Sequence, residues 1–220
     1  MHFPLFTFLM HIPTIDTVIF DLGGVLVDWN PRYLYRKIFK DEAEMEWFLS
    51  QVCTPEWNAM QDAGRTIAEA SGILLEAYPQ YREQILAFYD RFEETFSGVI
   101  PGTAAILRQL AASGSYRLYA LTNWSAETMP RAKKIFEEFH LFEGMVVSGE
   151  EKLVKPDPAI YQLLFERFGI QPPRSVYIDD SLPNVQAASQ LGLHAIHFNG
   201  PEQLRAELEA LLPMQFASAS

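Results

Sequence analysis

Short apolar runs and amphipathic stretches alternate along most of this chain, and the alternation breaks once. Thr17–Phe20 (TVIF) is a short β-rich run, and similar runs recur at 117–121, 145–148, 175–178 and 194–198. Each predicts a buried strand. Between the later runs lie helical patterns at 104–112, 126–139, 158–168, 182–191 and 201–212. Gly169 and Gly192 are placed as C-terminal stops, and Asp157-Pro158 reads as an N-cap followed by proline at the first helical position. Strands alternating with helices predict an α/β fold: a Rossmann-like parallel sheet of about five strands with helices on both faces. Ligands bind such sheets beyond the C-terminal ends of the strands.

From about Pro31 to Gly98 the strand pattern stops and helix starts take over: Asn30-Pro31, Thr54-Pro55, and a capping-box pattern at Thr66 and Glu69. A stripe of Tyr81, Ile85, Phe88, Phe92 and Phe96 predicts one face of a long helix, buried as core rather than open to a substrate. The expected organisation is a core domain of residues 14–30 and 99–220 and a small all-helical cap of residues 31–98. Two short linkers would let such a cap close over a site. Residues 1–13 are apolar without a basic start and are too short to span a bilayer, so they read as an N-terminal extension.

Composition narrows the function. The hydrophobic fraction of 49% over 220 residues suffices for a full core. With 17 Lys and Arg against 28 Asp and Glu, the formal charge is −11. That balance argues against a nucleic-acid partner, which needs clustered cations, and no membrane partner is expected. A single cysteine, Cys53, forms no internal disulfide, so a reducing, cytoplasmic setting is expected and Cys53 reads as a packing residue. His2, His11, His140, His194 and His197 occupy no recognisable catalytic spacing.

Candidate chemistry sits at the strand ends. Asp21 follows TVIF and precedes a glycine-rich turn, Leu22-Gly23-Gly24-Val25-Leu26. By itself it reads equally well as a turn cap. Thr122-Asn123 ends the strand RLYAL, where a hydroxyl and backbone N–H groups can hold phosphate oxygens. Lys155 precedes Pro156-Asp157-Pro158 and has the charge to neutralise a carboxylate and a transferred anion. Asp179 and Asp180 follow SVYI, and adjacent carboxylates repel each other unless a cation or proton intervenes. Hard oxygen ligands of this kind suit Mg²⁺.

Together, Phe20-Asp21-Leu22-Gly23-Gly24-Val25-Leu26, Leu121-Thr122-Asn123, Lys155-Pro156-Asp157-Pro158 and Ile178-Asp179-Asp180-Ser181 resemble the four ordered motifs of the haloacid dehalogenase-like superfamily. The resemblance runs from about Thr17 to Leu212 and implies a helical cap between the first two motifs. It further implies that Asp21 is a nucleophile forming an aspartyl-phosphate, with Thr122 and Lys155 holding the phosphoryl group. Asp21, Asp180 and the Gly23 carbonyl would bind Mg²⁺, with Asp179 and Asn184 behind them. One position departs from the pattern: Gly23 stands where phosphatases of this superfamily usually have an acid–base Asp. Sugar-phosphate phosphatases of the superfamily that also have Gly there keep the phosphatase reading open.

The expected activity is therefore Mg²⁺-dependent hydrolysis of a small phosphorylated metabolite, a sugar phosphate by preference. A metal-independent 2-haloacid dehalogenase is the alternative, disfavoured by Asp179-Asp180, and a non-catalytic metabolite-binding protein is a second. Specificity would come from Trp29, Asn30 and Arg32 near the first linker and from Trp57, Asn58, Gln61, Asp62 and Arg65 ahead of the capping box. Of these, Trp29, Asn58 and Arg65 join Thr122, Asn123 and Lys155 as the expected substrate contacts. Docking or capping of helices is the plainer role for any single one. Oligomeric state is not legible in the sequence.

Overall fold

The computed structural model describes residues 14–217. The expected extension at 1–13 lies outside the described residues. Among them the strands are β1 (Thr17–Phe20), β2 (Val27–Trp29), β3 (Phe96–Val99), β4 (Arg117–Thr122), β5 (Gly144–Val147), β6 (Ser175–Asp179) and β7 (His194–His197). Helices α1 (Arg32–Tyr35), α2 (Glu42–Gln51), α3 (Pro55–Asp62), α4 (Ile67–Ala77) and α5 (Arg82–Asp90) lie between β2 and β3. The remaining helices are α6 (Pro101–Ser113), α7 (Met129–Ile135), α8 (Ser148–Glu151), α9 (Pro158–Phe168), α10 (Leu182–Gln190) and α11 (Pro201–Leu211).

Five strands form one parallel sheet in the order β5-β4-β1-β6-β7. Alternate side chains leave a strand on opposite faces. Val18, Phe20, Leu118, Ala120, Val176 and Ile178 therefore join one hydrophobic cluster, while Ile19, Tyr119, Leu121 and Tyr177 join another. Ile106, Leu107 and Leu110 of α6, with Leu204 and Leu208 of α11, cover the first face. Ile160, Tyr161 and Leu164 of α9, with Ala188 of α10, cover the second. Burial on both faces explains why Val18, Ile19 and Phe20 are apolar in succession. The fold is α/β with a Rossmann-like sheet, as the pattern predicts. No described helix is long and apolar enough to cross a membrane.

The helices between β2 and β3 share a separate cluster built on Tyr35, Phe48, Trp57, Ile85 and Phe88, in which Cys53 is buried and free. Their ends are set locally. Thr54 Oγ1 accepts from Trp57 N at 3.1 Å, and Thr66 with Glu69 forms the expected capping box.

Three expectations are corrected. The aromatic stripe from Tyr81 to Phe96 is not one long helix: α5 ends at Asp90, Phe92 opens a 3₁₀ turn, and Phe96 opens β3. The stretch from Pro31 to Gly98 is thus not free of strand. Gly98 has φ +124°, which no right-handed helix admits, and residues 96–99 pair antiparallel with β2 instead. The two linkers of the helical insert are consequently tied to each other as a ribbon. The helix expected over 126–139 is also shorter, starting at Met129-Pro130 and giving way to a 3₁₀ turn at Glu137–Leu141.

Candidate active site

Where β1 ends, Asp21 N still donates to Ile178 O at 2.8 Å, so the first candidate residue is fixed by sheet pairing. The chain then turns through Gly23 and Gly24. Gly24 has φ +76°, and a Cβ there would lie 2.3 Å from Asp180 Oδ2. Glycine is required at this position both for the backbone conformation and for the approach of Asp180. Carboxylate oxygens of Asp21, Asp179 and Asp180 consequently lie within 4.8 Å of one another.

Lys155 enters this group from below, with its side chain almost wholly buried. Its Nζ lies 2.9 Å from Asp21 Oδ1 and 2.7 Å from Asp179 Oδ2, and donates to Leu121 O at 2.9 Å. The Asn123 side chain holds the lysine loop on both sides of one residue: Lys155 N donates to Asn123 Oδ1 at 2.9 Å, and Asn123 Nδ2 donates to Lys155 O at 3.1 Å. Asp179 is saturated. Besides Lys155 it accepts from Ser181 N at 2.8 Å, from Asn184 Nδ2 at 3.0 Å and from the Tyr177 hydroxyl. Asp180 differs, since no other described residue donates to its carboxylate.

Three carboxylates against one ammonium leave the site short of positive charge. Burial pushes the Asp21 carboxyl up to about 7, against the pull of Lys155 and with added repulsion from Asp179. Burial and then Asp179 likewise raise Asp180. Burial disfavours the Lys155 charge, yet Asp21 and Asp179 more than offset this and its pKa rises. Thr122 Oγ1 is buried without a hydrogen-bond partner among the described residues. An all-oxygen donor set, an Asp180 carboxylate that pairs with no lysine or arginine among the described residues and a glycine turn in which a Cβ at Gly23 would meet no described atom within 4 Å all fit a hard divalent cation.

Above the carboxylates lies a cavity of about 260 Å³. Asp21, Gly23, Gly24 and Asp180 form its floor. Asn123, Trp124, Ser125 and Thr128, from the segment after β4, form one wall. The helical insert and its ribbon supply the rest: Trp29, Asn58, Asp62, Phe88, Tyr89, Phe92 and Phe96. Polar contacts hold the insert over the floor. Ser148 Oγ donates to Asp62 O at 2.6 Å, Arg131 Nη1 donates to Tyr89 O at 2.6 Å, and Ile67 N donates to Glu127 Oε1 at 2.7 Å.

The family model of the haloacid dehalogenase-like hydrolases matches residues 15–192, most of the chain. The chain belongs to that family. This haloacid dehalogenase-like hydrolase is 26% identical to the sesquiterpene phosphatase astK of Aspergillus oryzae, over 90% of its own length and 97% of the relative's. It is 28% identical to the phosphorylated carbohydrates phosphatase of Thermotoga maritima, over 83% and 84% of the two chains. A HAD-family enzyme of Bacteroides thetaiotaomicron, solved as its magnesium complex, shares the fold with a TM-score of 0.65 and 23% identity over 84% and 94% of the chains.

Within the hydrolase, the sequence candidates separate. Asp21, Thr122, Lys155, Asp179, Asp180 and Asn184 gather at the sheet's C-terminal edge. Trp29, Asn58, Asp62 and Asn123 line the cavity, whereas Arg65 donates to Gln61 Oε1 at 2.7 Å and to Trp57 O at 2.8 Å inside the insert. Arg32 is paired with Glu46 at 2.6 Å, and Trp57 Nε1 donates to Ala70 O at 3.2 Å. The aromatic stripe needs a second correction: Phe88, Phe92 and Phe96 pack into the hydrophobic clusters but also line the cavity. Ser125, Thr128, Trp124 and Tyr89 were not legible as lining residues. Only the first and third carried a signal, as the continuation of Leu121-Thr122-Asn123.

Proposed function

We propose that this hydrolase is a Mg²⁺-dependent phosphatase acting on a small phosphate monoester through an aspartyl-phosphate on Asp21. The observation that carries the reading is the surplus of carboxylate at the floor: Asp21 and Asp179 share Lys155, while Asp180 pairs with no lysine or arginine among the described residues. Asp21, Asp180 and the Gly23 carbonyl would hold Mg²⁺, with Asp179 and Asn184 behind them. When bound, that cation supplies the positive charge that lets a carboxylate approach a phosphate dianion. Asp21 attacks phosphorus in line, Lys155 keeps the attacking carboxylate ionised and oriented, and the Thr122 hydroxyl donates to a phosphoryl oxygen. The saturated bonding of Asp179 fixes Lys155 and Asn184 in place. Residues 31–98 act as the cap that keeps bulk water from the aspartyl-phosphate.

A sugar phosphate fits the combination of ring face and amide at Trp29 and Asn58. A second reading of the leaving group has a specific observation in its favour. Among the described residues six aromatic side chains line the cavity: Trp29, Phe88, Tyr89, Phe92, Phe96 and Trp124. Such a wall suits an apolar group, as in the substrate class named for the sesquiterpene phosphatase relative.

The test is phosphate release from sugar phosphates, farnesyl monophosphate and para-nitrophenyl phosphate, with Mg²⁺ or EDTA, for wild type, Asp21→Asn and Asp180→Asn. Halide release from chloropropionate runs beside it. Release that needs Mg²⁺ and both carboxylates is expected. Halide release without metal favours the dehalogenase alternative, and no product of either kind favours the binding protein.

A further inference from the structure

We infer that Asp62, carried by the last turn of α3 in the cap, is the general acid and base of this hydrolase in place of the side chain that Gly23 lacks. The inference rests on the phosphatase reading. In-line displacement puts the attacking and leaving oxygens on opposite sides of phosphorus. Asp21 lies in the floor, so the leaving oxygen must face the roof. Among the described residues three carboxylates line the cavity, Asp21, Asp180 and Asp62, and of these only Asp62 comes from the roof.

The placement of Asp62 is built rather than incidental. Its backbone carbonyl is pinned to the core by Ser148 Oγ at 2.6 Å. The preceding residue, Gln61, is fully buried and donates to Trp57 O at 2.8 Å and to the Tyr89 hydroxyl at 2.9 Å. Arg65, the nearest arginine in sequence, turns its guanidinium to Gln61 and Trp57. No lysine or arginine pairs with Asp62 among the described residues. Burial first, and then the Asp21 charge, push its carboxyl up to about 7, while the Ser125 N–H pulls the other way. A carboxyl poised there can both give and take a proton near neutrality.

The proton and bond changes close into a cycle. As an Asp21 oxygen bonds to phosphorus, the ester P–O bond breaks, and the leaving oxygen takes the Asp62 proton to become an alcohol. Water then enters from the same side. Its oxygen bonds to phosphorus while the Asp62 carboxylate accepts its proton, and the P–O bond to Asp21 breaks. Inorganic phosphate leaves, and Asp21 and Asp62 return to their starting forms.

The experiment compares kcat/KM, with Mg²⁺, for wild type and Asp62→Asn on butyl phosphate and on para-nitrophenyl phosphate. Butoxide needs a proton to leave and nitrophenolate does not, and kcat/KM reports the first irreversible step, transfer to Asp21. The expected loss on butyl phosphate is about 10²–10⁴-fold, against less than about tenfold on the aryl ester. Asp62→Glu should recover part of the butyl phosphate activity. Equal losses on the two esters would mark a structural role and overturn the assignment, as would full activity of Asp62→Asn on butyl phosphate. Failure of wild type to release phosphate in an Mg²⁺- and Asp21-dependent way would instead overturn the phosphatase reading, and the assignment with it.

Discussion

The floor and the roof of the cavity are built by different means. At the floor, each functional group sits at or next to the end of a parallel strand or in a loop bonded to one. Asp21 N bonds to Ile178 O, Asp179 ends β6, and Lys155 is tied to Asn123 just beyond β4. At the roof, Asp62, Asn58 and Phe88 reach the cavity only because helices with their own hydrophobic cluster dock through a few polar contacts. Backbone topology fixes the floor, and side-chain docking fixes the roof. Changes at the floor should therefore abolish chemistry or stability, while changes in docking should tune substrate affinity.

The largest expected effect is on chemistry. Asp21→Asn should lower kcat by at least about four orders of magnitude. Phosphate release with saturating Mg²⁺ checks this, and residual activity within tenfold of wild type would remove Asp21 from the nucleophile's role.

Next comes stability at the floor. Lys155→Met leaves Asp21 and Asp179 buried without their cation, so it should cost about 3–5 kcal/mol in denaturant unfolding at pH 8. The loss should shrink as the pH falls and protons neutralise the carboxylates. A variant as stable as wild type at pH 8 would mean that the ion pairs do not hold the floor.

A smaller effect of opposite sign is expected at the roof. The Asp62 carboxyl is raised from 3.8 to about 7 in the folded protein. Between those values the folded form keeps a proton that the unfolded chain has lost, so stability falls as the pH rises toward 7 and levels off above it. Asparagine carries no such charge. In metal-free protein, Asp62→Asn should melt above wild type at pH 8, and the gap should close on approaching pH 4. A gap independent of pH would show that the charge on Asp62 has no part in it.

The smallest effect is expected from docking. Arg131 donates from the core to Tyr89 O and Glu93, partly in solvent. Arg131→Ala should raise KM a few-fold, on the order of 1 kcal/mol, with little change in kcat. An equal fall in kcat would mean that cap docking also sets the reacting geometry.

The same contrast explains what could be read in advance. Strand runs end where Asp21, Thr122 and Asp179 begin to matter, so the floor's residues could be placed at one edge from pattern alone. Asp180 followed from its adjacency, and Lys155 from its place before a helix start. The roof gave no such signal. Asp62 stands three residues short of Arg65 on an unremarkable polar stretch, and only tertiary docking places one over the cavity and the other inside the insert. Phe92 and Phe96 kept helical spacing across a break imposed by β2 and Gly98, which a periodicity cannot reveal.

The most direct measurement is mass spectrometry of the peptide containing Asp21 after acid quench during turnover of a phosphate monoester with Mg²⁺. A phosphoryl adduct on Asp21, absent from EDTA-treated enzyme and from Asp21→Asn, is the predicted result. Steady phosphate release while that peptide never gains a phosphoryl group under any quench time would contradict Asp21 as the nucleophile.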